Sequence, residues 1–169
     1  VSVILIERFG CFGGNITSVG VEGFAWYRHE KTIEAGGLAF EYEQRAIESN
    51  AAVPESQSKS YELDSEGFKV VADNLVLKAG VRPMLHRAFC APILEGDEIK
   101  GVITESKAGR EAIIGKIIID ATGDADVARR SGVTVFKNKK EDMISASVMF
   151  HMSGVNKEEF MNEIERDPQ

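Results

Sequence analysis

The stretch Lys116 to Asp126, K-I-I-I-D-A-T-G-D-A-D, restricts the fold more than any other part of the chain. Ile117 to Ile119 is a β-branched run with the composition of a buried parallel strand. It breaks at Asp120-Ala121-Thr122-Gly123-Asp124, and Ala125-Asp126-Val127-Ala128-Arg129-Arg130 then reads as helix. A strand that ends in a small, glycine-bearing turn and feeds a helix puts backbone N–H groups at the carboxyl edge of a sheet. Open α/β sheets bind ligands at that edge, and helix N-termini favour phosphate there. Glycine turns after buried strands also serve purely structural ends, so this turn does not decide the matter alone.

The opening of the chain has the same design. Val1 to Ile6 is strand-like and closes on Glu7, followed by Arg8-Phe9-Gly10. An acidic residue at the tip of a parallel strand can accept hydrogen bonds from both ribose hydroxyls of an adenosine cofactor. The next loop, Gly10 to Ser18, holds the pair Gly13-Gly14 with Asn15, Thr17 and Ser18. Paired glycines permit φ > 0 and let a ligand approach the backbone. A solvated carboxylate and an ordinary turn would explain Glu7 and the glycines one at a time; their adjacency is what points to a site.

Between these two motifs the pattern is α/β. Gly20 to His29 is irregular and aromatic, with Phe24, Trp26 and Tyr27. Thr32 to Ser49 reads as a helix interrupted by Gly36-Gly37, and Asn50 to Tyr61 as a polar connector. Asp64 caps an amphipathic helix whose apolar face is Phe68, Val71, Leu75 and Ala79, with Gly80 at its end. Val81 to Arg87 follows as a strand, as in a βαβ crossover. Phe89–Leu94, Glu98–Ser106 and Arg110–Lys116 read as three strands joined by Glu95-Gly96-Asp97 and Lys107-Ala108-Gly109, a hairpin meander. Gly132–Val135 and Ser145–Met152 are strand-like, and Asn156 with Glu159 has the capping-box spacing of a final helix.

Composition limits the partners. A net charge of −7 argues against nucleic acid and anionic membrane, which require clustered Lys and Arg. No apolar run approaches a membrane span. Cys11 and Cys90 have neither disulfide-framework nor zinc spacing, which points to reduced thiols in a cytoplasmic protein. No G-x-S-x-G or H-E-x-x-H occurs, and no metal site is expected. The chain opens at Val1, already inside a strand and without Met, which suggests a piece of something longer.

What converges is a nucleotide site built from Glu7, Gly13-Gly14 and Thr122-Gly123-Asp124, each at the carboxyl edge of an expected parallel strand. Asp124 would repel a phosphate but suits a hydroxyl of a ribityl chain, which favours a flavin over a nicotinamide dinucleotide.

These motifs resemble a known family. Glu7-Arg8-x-Gly10-x-x-Gly13-Gly14-Asn15-x-Thr17, Glu66-x-x-Lys69, Gly101-Val102-Ile103 and Ile119 to Ala128 are similar to FAD-dependent oxidoreductases of the two-dinucleotide-binding-domain superfamily. The nearest group is the one related to heterodisulfide reductase and to fumarate-reductase-like flavoproteins. The resemblance implies FAD as cofactor and a small-molecule substrate. It implies a partial Rossmann-like FAD-binding fold, a parallel sheet with helices plus an inserted three-stranded antiparallel β-meander. Residues 1–169 would form one incomplete FAD-binding domain, with a loop and helix insertion over 20–62 and the meander over 89–116. Glu7 would bind the adenosine ribose, beside Arg8. Gly13, Gly14, Asn15 and Thr17 would line the pyrophosphate, Phe89 would give main-chain contacts to adenine, and Ala121, Thr122, Gly123 and Asp124 would form the second FAD motif. Arg28 and His29 are the candidates for a substrate-side role.

In that family a first strand and a G-x-G-x-x-G turn precede the strand that ends on Glu7, and this sequence opens at the second strand. The sheet would then lack its central strand, and a homo-oligomer or strand exchange could complete it. Two other readings stay open. One is a flavin-free α/β oligomerisation or interaction module. The other is a Rossmann-type domain that binds NAD or another adenosine nucleotide through Glu7.

Overall fold

The computed structural model describes residues 1–24, 36–54 and 60–166, together with the backbone of 28–29 and 32–33. Trp26, Tyr27, the side chains of Arg28 and His29, and connector residues 55–59 lie outside the described residues.

Strand β1 (Ile4–Ile6) pairs in parallel with β6 (Arg82–Met84), in the register Ile4 to Arg82, Leu5 to Pro83 and Ile6 to Met84. The Arg82 amide donates to the Val3 carbonyl at 2.9 Å, so the donor that Pro83 lacks would point to the opposite edge of the ladder. Between the two strands run a π-helical turn (Asn15–Val19), a short hairpin of β2 (Arg28–His29) and β3 (Thr32–Ile33), and helix α1 (Leu38–Glu48). A second hairpin, β4 (Ala52–Pro54) with β5 (Tyr61–Leu63), and helix α2 (Ser65–Lys78) complete the crossover. A three-stranded antiparallel meander follows: β7 (Ala88–Glu95), β8 (Glu98–Ser106) and β9 (Gly109–Ile114). The fold class is therefore the expected one, α/β with a parallel pair, helices and an inserted meander.

Helix α2 carries the core on two faces. Phe68 and Val71 pack with Ala46, Ala51 and Leu63, and Phe24, Tyr42 and Leu75 lie against them. The Phe68 ring meets Phe24 edge-on at 5.8 Å and Tyr42 at 5.5 Å. One turn on, Ala72 and Val76 bury Phe12 from the glycine loop, with Leu5, Val81 and Leu85 of the parallel-pair region around them. Asp64 caps the helix, its Oδ1 accepting the Glu66 amide at 3.1 Å. Gly67 lets Ala51 approach: a Cβ there would stand 2.8 Å from that of Ala51. Ala79 is exposed, so the buried stripe bends through Ala72 and Val76 rather than running on to Ala79.

Several expected elements differ. The helix expected from Thr32 starts only at Leu38, because Gly37 sits at φ 61° and breaks the α register just before it. The polar connector supplies β4 and the first residue of β5, and this hairpin leans on the first core cluster through Ala52 and Leu63. The strand expected from Val1 is paired only over Ile4–Ile6. Ile117 to Ile119 is not a strand. Ile117 and Ile119 are 83% and 82% exposed, and β9 has already ended at Ile114. Gly132–Val135 and Ser145–Met152 are likewise unpaired, with Phe150 exposed. The physical reason is that a β-branched run becomes a strand only when another strand lies alongside, and among the described residues no strand pairs with 117–119, 132–135 or 145–152. Asn156 does cap the last helix, α4 (Lys157–Arg166), accepting the Glu158 and Glu159 amides at 3.1 and 3.4 Å.

Phe68→Ala is expected to lower unfolding stability by about 3–5 kcal/mol, the range for a buried aromatic truncation. Urea denaturation followed by far-UV circular dichroism would measure it.

Candidate functional site

Glu7 stands at the carboxyl end of β1, and its backbone is bonded on both sides. Its amide donates to the Met84 carbonyl at 3.0 Å, and its carbonyl accepts the Arg87 amide at 2.9 Å. The Glu7 carboxylate turns back on its own loop, with Oε1 accepting the Phe9 amide at 2.8 Å. That leaves Oε2 without a partner among the described residues. Arg8 lays its guanidinium over the Phe9 ring, 4.5 Å from the centroid.

The loop that follows is shaped by Phe12 and Thr17. Phe12 is buried against α2. The Thr17 hydroxyl donates to the Phe12 carbonyl at 2.7 Å, and the side chain closes on Gly13, where a Cβ would lie 2.5 Å from Thr17 Cγ2. Gly13 sits at φ 112° and Gly14 at φ 57° with ψ −127°, a combination that side chains disfavour. Space beside Gly14 is open to 4 Å. The amides of Gly13 and Gly14 have no acceptor among the described residues, and Asn15 next to them is exposed. A pair of unused backbone donors at an open glycine turn has the chemistry to take an anionic or polar ligand.

The second motif is organised by Asp120. Its Oδ1 accepts the Thr122 amide at 3.0 Å and the Thr122 hydroxyl at 2.7 Å, and its Oδ2 accepts the Ala128 amide at 2.9 Å. Thr122 Oγ1 in turn accepts the Asp126 amide at 2.9 Å, which starts the short helix α3 (Asp126–Arg130). Thr122 is thus occupied inside the turn, and what the turn offers outward is backbone. Gly123 is at φ 91° with open space beside it, and the amides of Gly123, Asp124 and Ala125 have no acceptor among the described residues. Ala121 and Asp124 are exposed. Partial burial alone would raise the Asp120 pKa, but the amides of Ala128, Thr122 and Val127 and the Thr122 hydroxyl outweigh it and hold the carboxyl below its ordinary value.

The segment from Met84 to Cys90 joins both motifs to the meander. His86 and Arg87 bond the Glu7–Phe9 turn. Arg87 is ion-paired with Glu111 on β9. Phe89, the second residue of β7, stands opposite Thr104, and the register slips at Cys90. Arg130 of α3 donates to the Cys90 carbonyl and lies over the Phe89 ring, 5.7 Å from its centroid. Residue spacing did not single out this segment; its only sequence signal is Arg87 and Phe89 at the entry to the meander. Arg28 and His29 lie in the β2–β3 hairpin, opposite Ile33 and Thr32. Among the described residues no three His, Cys, Asp or Glu side chains cluster as a metal site, and no helix is long and apolar enough to cross a membrane.

Asp120→Asn is expected to destabilise the chain at pH 7, with the deficit closing as pH falls. The folded-state pKa is lowered, so the carboxylate stabilises the fold above its ordinary pKa, near 3.8, and that contribution is lost as pH drops through the lower folded value. Thermal melts of both proteins from pH 7 to pH 3 would read this convergence.

A family model described as FAD dependent oxidoreductase matches residues 1–169. A search of curated proteins finds no match.

Proposed function

Because the chain belongs to the FAD-dependent oxidoreductase family over its whole length, we propose that it holds FAD on its two glycine turns for redox chemistry on a small-molecule substrate. FAD is the family's cofactor, and when bound it supplies the hydride or electron transfer. The protein's part is to bind, orient and shield it.

On this reading the unpartnered Glu7 Oε2 takes a ribose hydroxyl of the adenosine half. The Gly13 and Gly14 amides, with Asn15, take the diphosphate; Thr17 holds that loop in shape and Arg8 flanks it. Backbone of Ala121 to Ala125 serves the ribityl side, and the Asp124 carboxylate accepts from a hydroxyl there. Phe89 contributes main-chain contacts near the adenine. Arg28 and His29 serve the substrate side. Residues 1–169 are part of one FAD-binding domain, with a loop and helix insertion over 20–62 and the meander over 89–116. Within the family we place the chain with the group related to heterodisulfide reductase and to fumarate-reductase-like flavoproteins, on the motifs Glu7 to Thr17 and Ile119 to Ala128.

The observation that carries the proposal is the pair of open glycine turns with unused amides. Both belong to the motifs by which the sequence resembles flavoproteins, and neither set of donors has another use within the described structure. Backbone donors already fixed in direction need little further ordering, so a ligand that accepts from several of them at once gains binding energy.

Visible absorbance of the purified chain, repeated after incubation with FAD and gel filtration, tests the reading. Flavin absorbance should co-elute with the protein. Gly14→Ala and Gly123→Ala should each weaken FAD binding by roughly tenfold or more, about 1.4 kcal/mol, because each forces a side chain into a left-handed backbone. Glu7→Gln keeps the backbone intact and should weaken it less. A folded wild-type chain that retains no flavin would refute the proposal.

A further inference from the structure

His86 lies at the junction of the parallel pair and the glycine loop, and its backbone is strained. It stands at φ 54°, a left-handed conformation that is uncommon for a residue with a Cβ. Two contacts explain why the chain holds it there. The His86 amide donates to the Phe9 carbonyl at 3.0 Å. The imidazole is laid against Gly10, where a Cβ would come within 2.6 Å of His86 Cε1 and 2.7 Å of Nε2. A side chain at position 10 would have to displace the ring from this seat.

Residue Phe9 is therefore held on both sides of its Cα, through the peptide before it and the peptide after it. Its N–H is held by the Glu7 carboxylate and its C=O by the His86 amide. The ring presses on the next residue, Gly10. The Glu7 carboxylate faces its own turn through Oε1, beside a residue whose carbonyl His86 holds. The arrangement also sets the direction in which the chain leaves toward Gly13 and Gly14. Much of the imidazole is exposed and so is not part of the apolar core. Core packing does not explain the strain.

We propose that His86 is a positioning residue for the adenosine half of the bound dinucleotide, acting through the Phe9–Gly10 backbone on Glu7 and the glycine loop. The inference rests on the FAD reading above. It assigns the residue no contact with the cofactor.

The test uses the full chain with FAD as ligand and ADP as competitor, since ADP carries only the adenosine half. His86→Ala and His86→Gly keep the amide bond to the Phe9 carbonyl but remove the ring from Gly10, and should weaken FAD and ADP by the same factor, roughly tenfold. Gly10→Ala should do the same in the wild-type background. In the His86→Gly background it should add nothing, because the ring it would strike is gone. Hydrogen exchange of the flavin-free chain gives a second readout: residues 7–14 should exchange faster in both His86 variants, with the α2 amides unchanged.

A loss of FAD affinity without a loss for ADP would overturn the inference. So would equal Gly10→Ala penalties in the two backgrounds, or unchanged exchange over 7–14. If the wild type binds FAD and the His86 variants bind it equally well, the inference alone fails. If the wild type takes up neither FAD nor ADP, the flavin reading fails and takes the inference with it.

Discussion

The structure depends on helix α2 being apolar on two adjoining faces. One face, Phe68 and Val71, closes the cluster formed with α1 and the β4–β5 hairpin. The other, Ala72 and Val76, receives Phe12 and the side chains around the parallel pair. Ala72 is small, which is why an aromatic ring from a loop can seat there. Phe12 is in turn the anchor that brings Gly13 and Gly14 to the end of β1. A glycine turn has little apolar surface of its own with which to hold its place. Here its position comes from the residue just before it, through the non-directional burial of one ring.

The polar connections do a different task, that of setting directions. Asp64, Asp120 and Asn156 each accept backbone amides at the start of a helix. Thr17 and Thr122 bond the backbone or a carboxylate inside the two glycine turns. These residues leave the turns with their side-chain hydrogen bonds satisfied and their glycine amides unused. That division between internal side chains and outward backbone is how a small loop can be ordered and still have donors to offer. It also explains why Thr122 belongs to the motif while its hydroxyl points into the turn.

The two halves of the candidate site come from ends of the chain more than a hundred residues apart in sequence. They are joined by the residues from Met84 to Cys90. This segment leaves the parallel pair, clamps the Glu7–Phe9 turn and enters the meander, where Arg130 of α3 reaches it. Arg87 bound to Glu111 ties the same segment to the far strand of the meander. The meander thus anchors α3 of the second motif and, through Arg87, the segment that clamps the Glu7–Phe9 turn.

Local chemistry was legible without any structure. Asp64 as a cap, the three meander strands with their Gly96 and Gly109 turns, the Asn156 capping box and the glycine-rich motifs all follow from rules that reach only a few residues along the chain. The family match over residues 1–169 agrees with the motifs read that way. Tertiary structure decided what depends on distant neighbours. Ile117 to Ile119 has strand composition, but strand pairing is settled by whether another backbone lies alongside, and it stays exposed. Leu38, not Thr32, begins α1 because the backbone at Gly37 turns to φ 61°. In the sequence His86 stands out only by its spacing of four from Cys90, which does not point to the role it takes. Its strained φ and its seat on Gly10 arise because two segments more than seventy residues apart meet at one strand end, and only folding makes them meet.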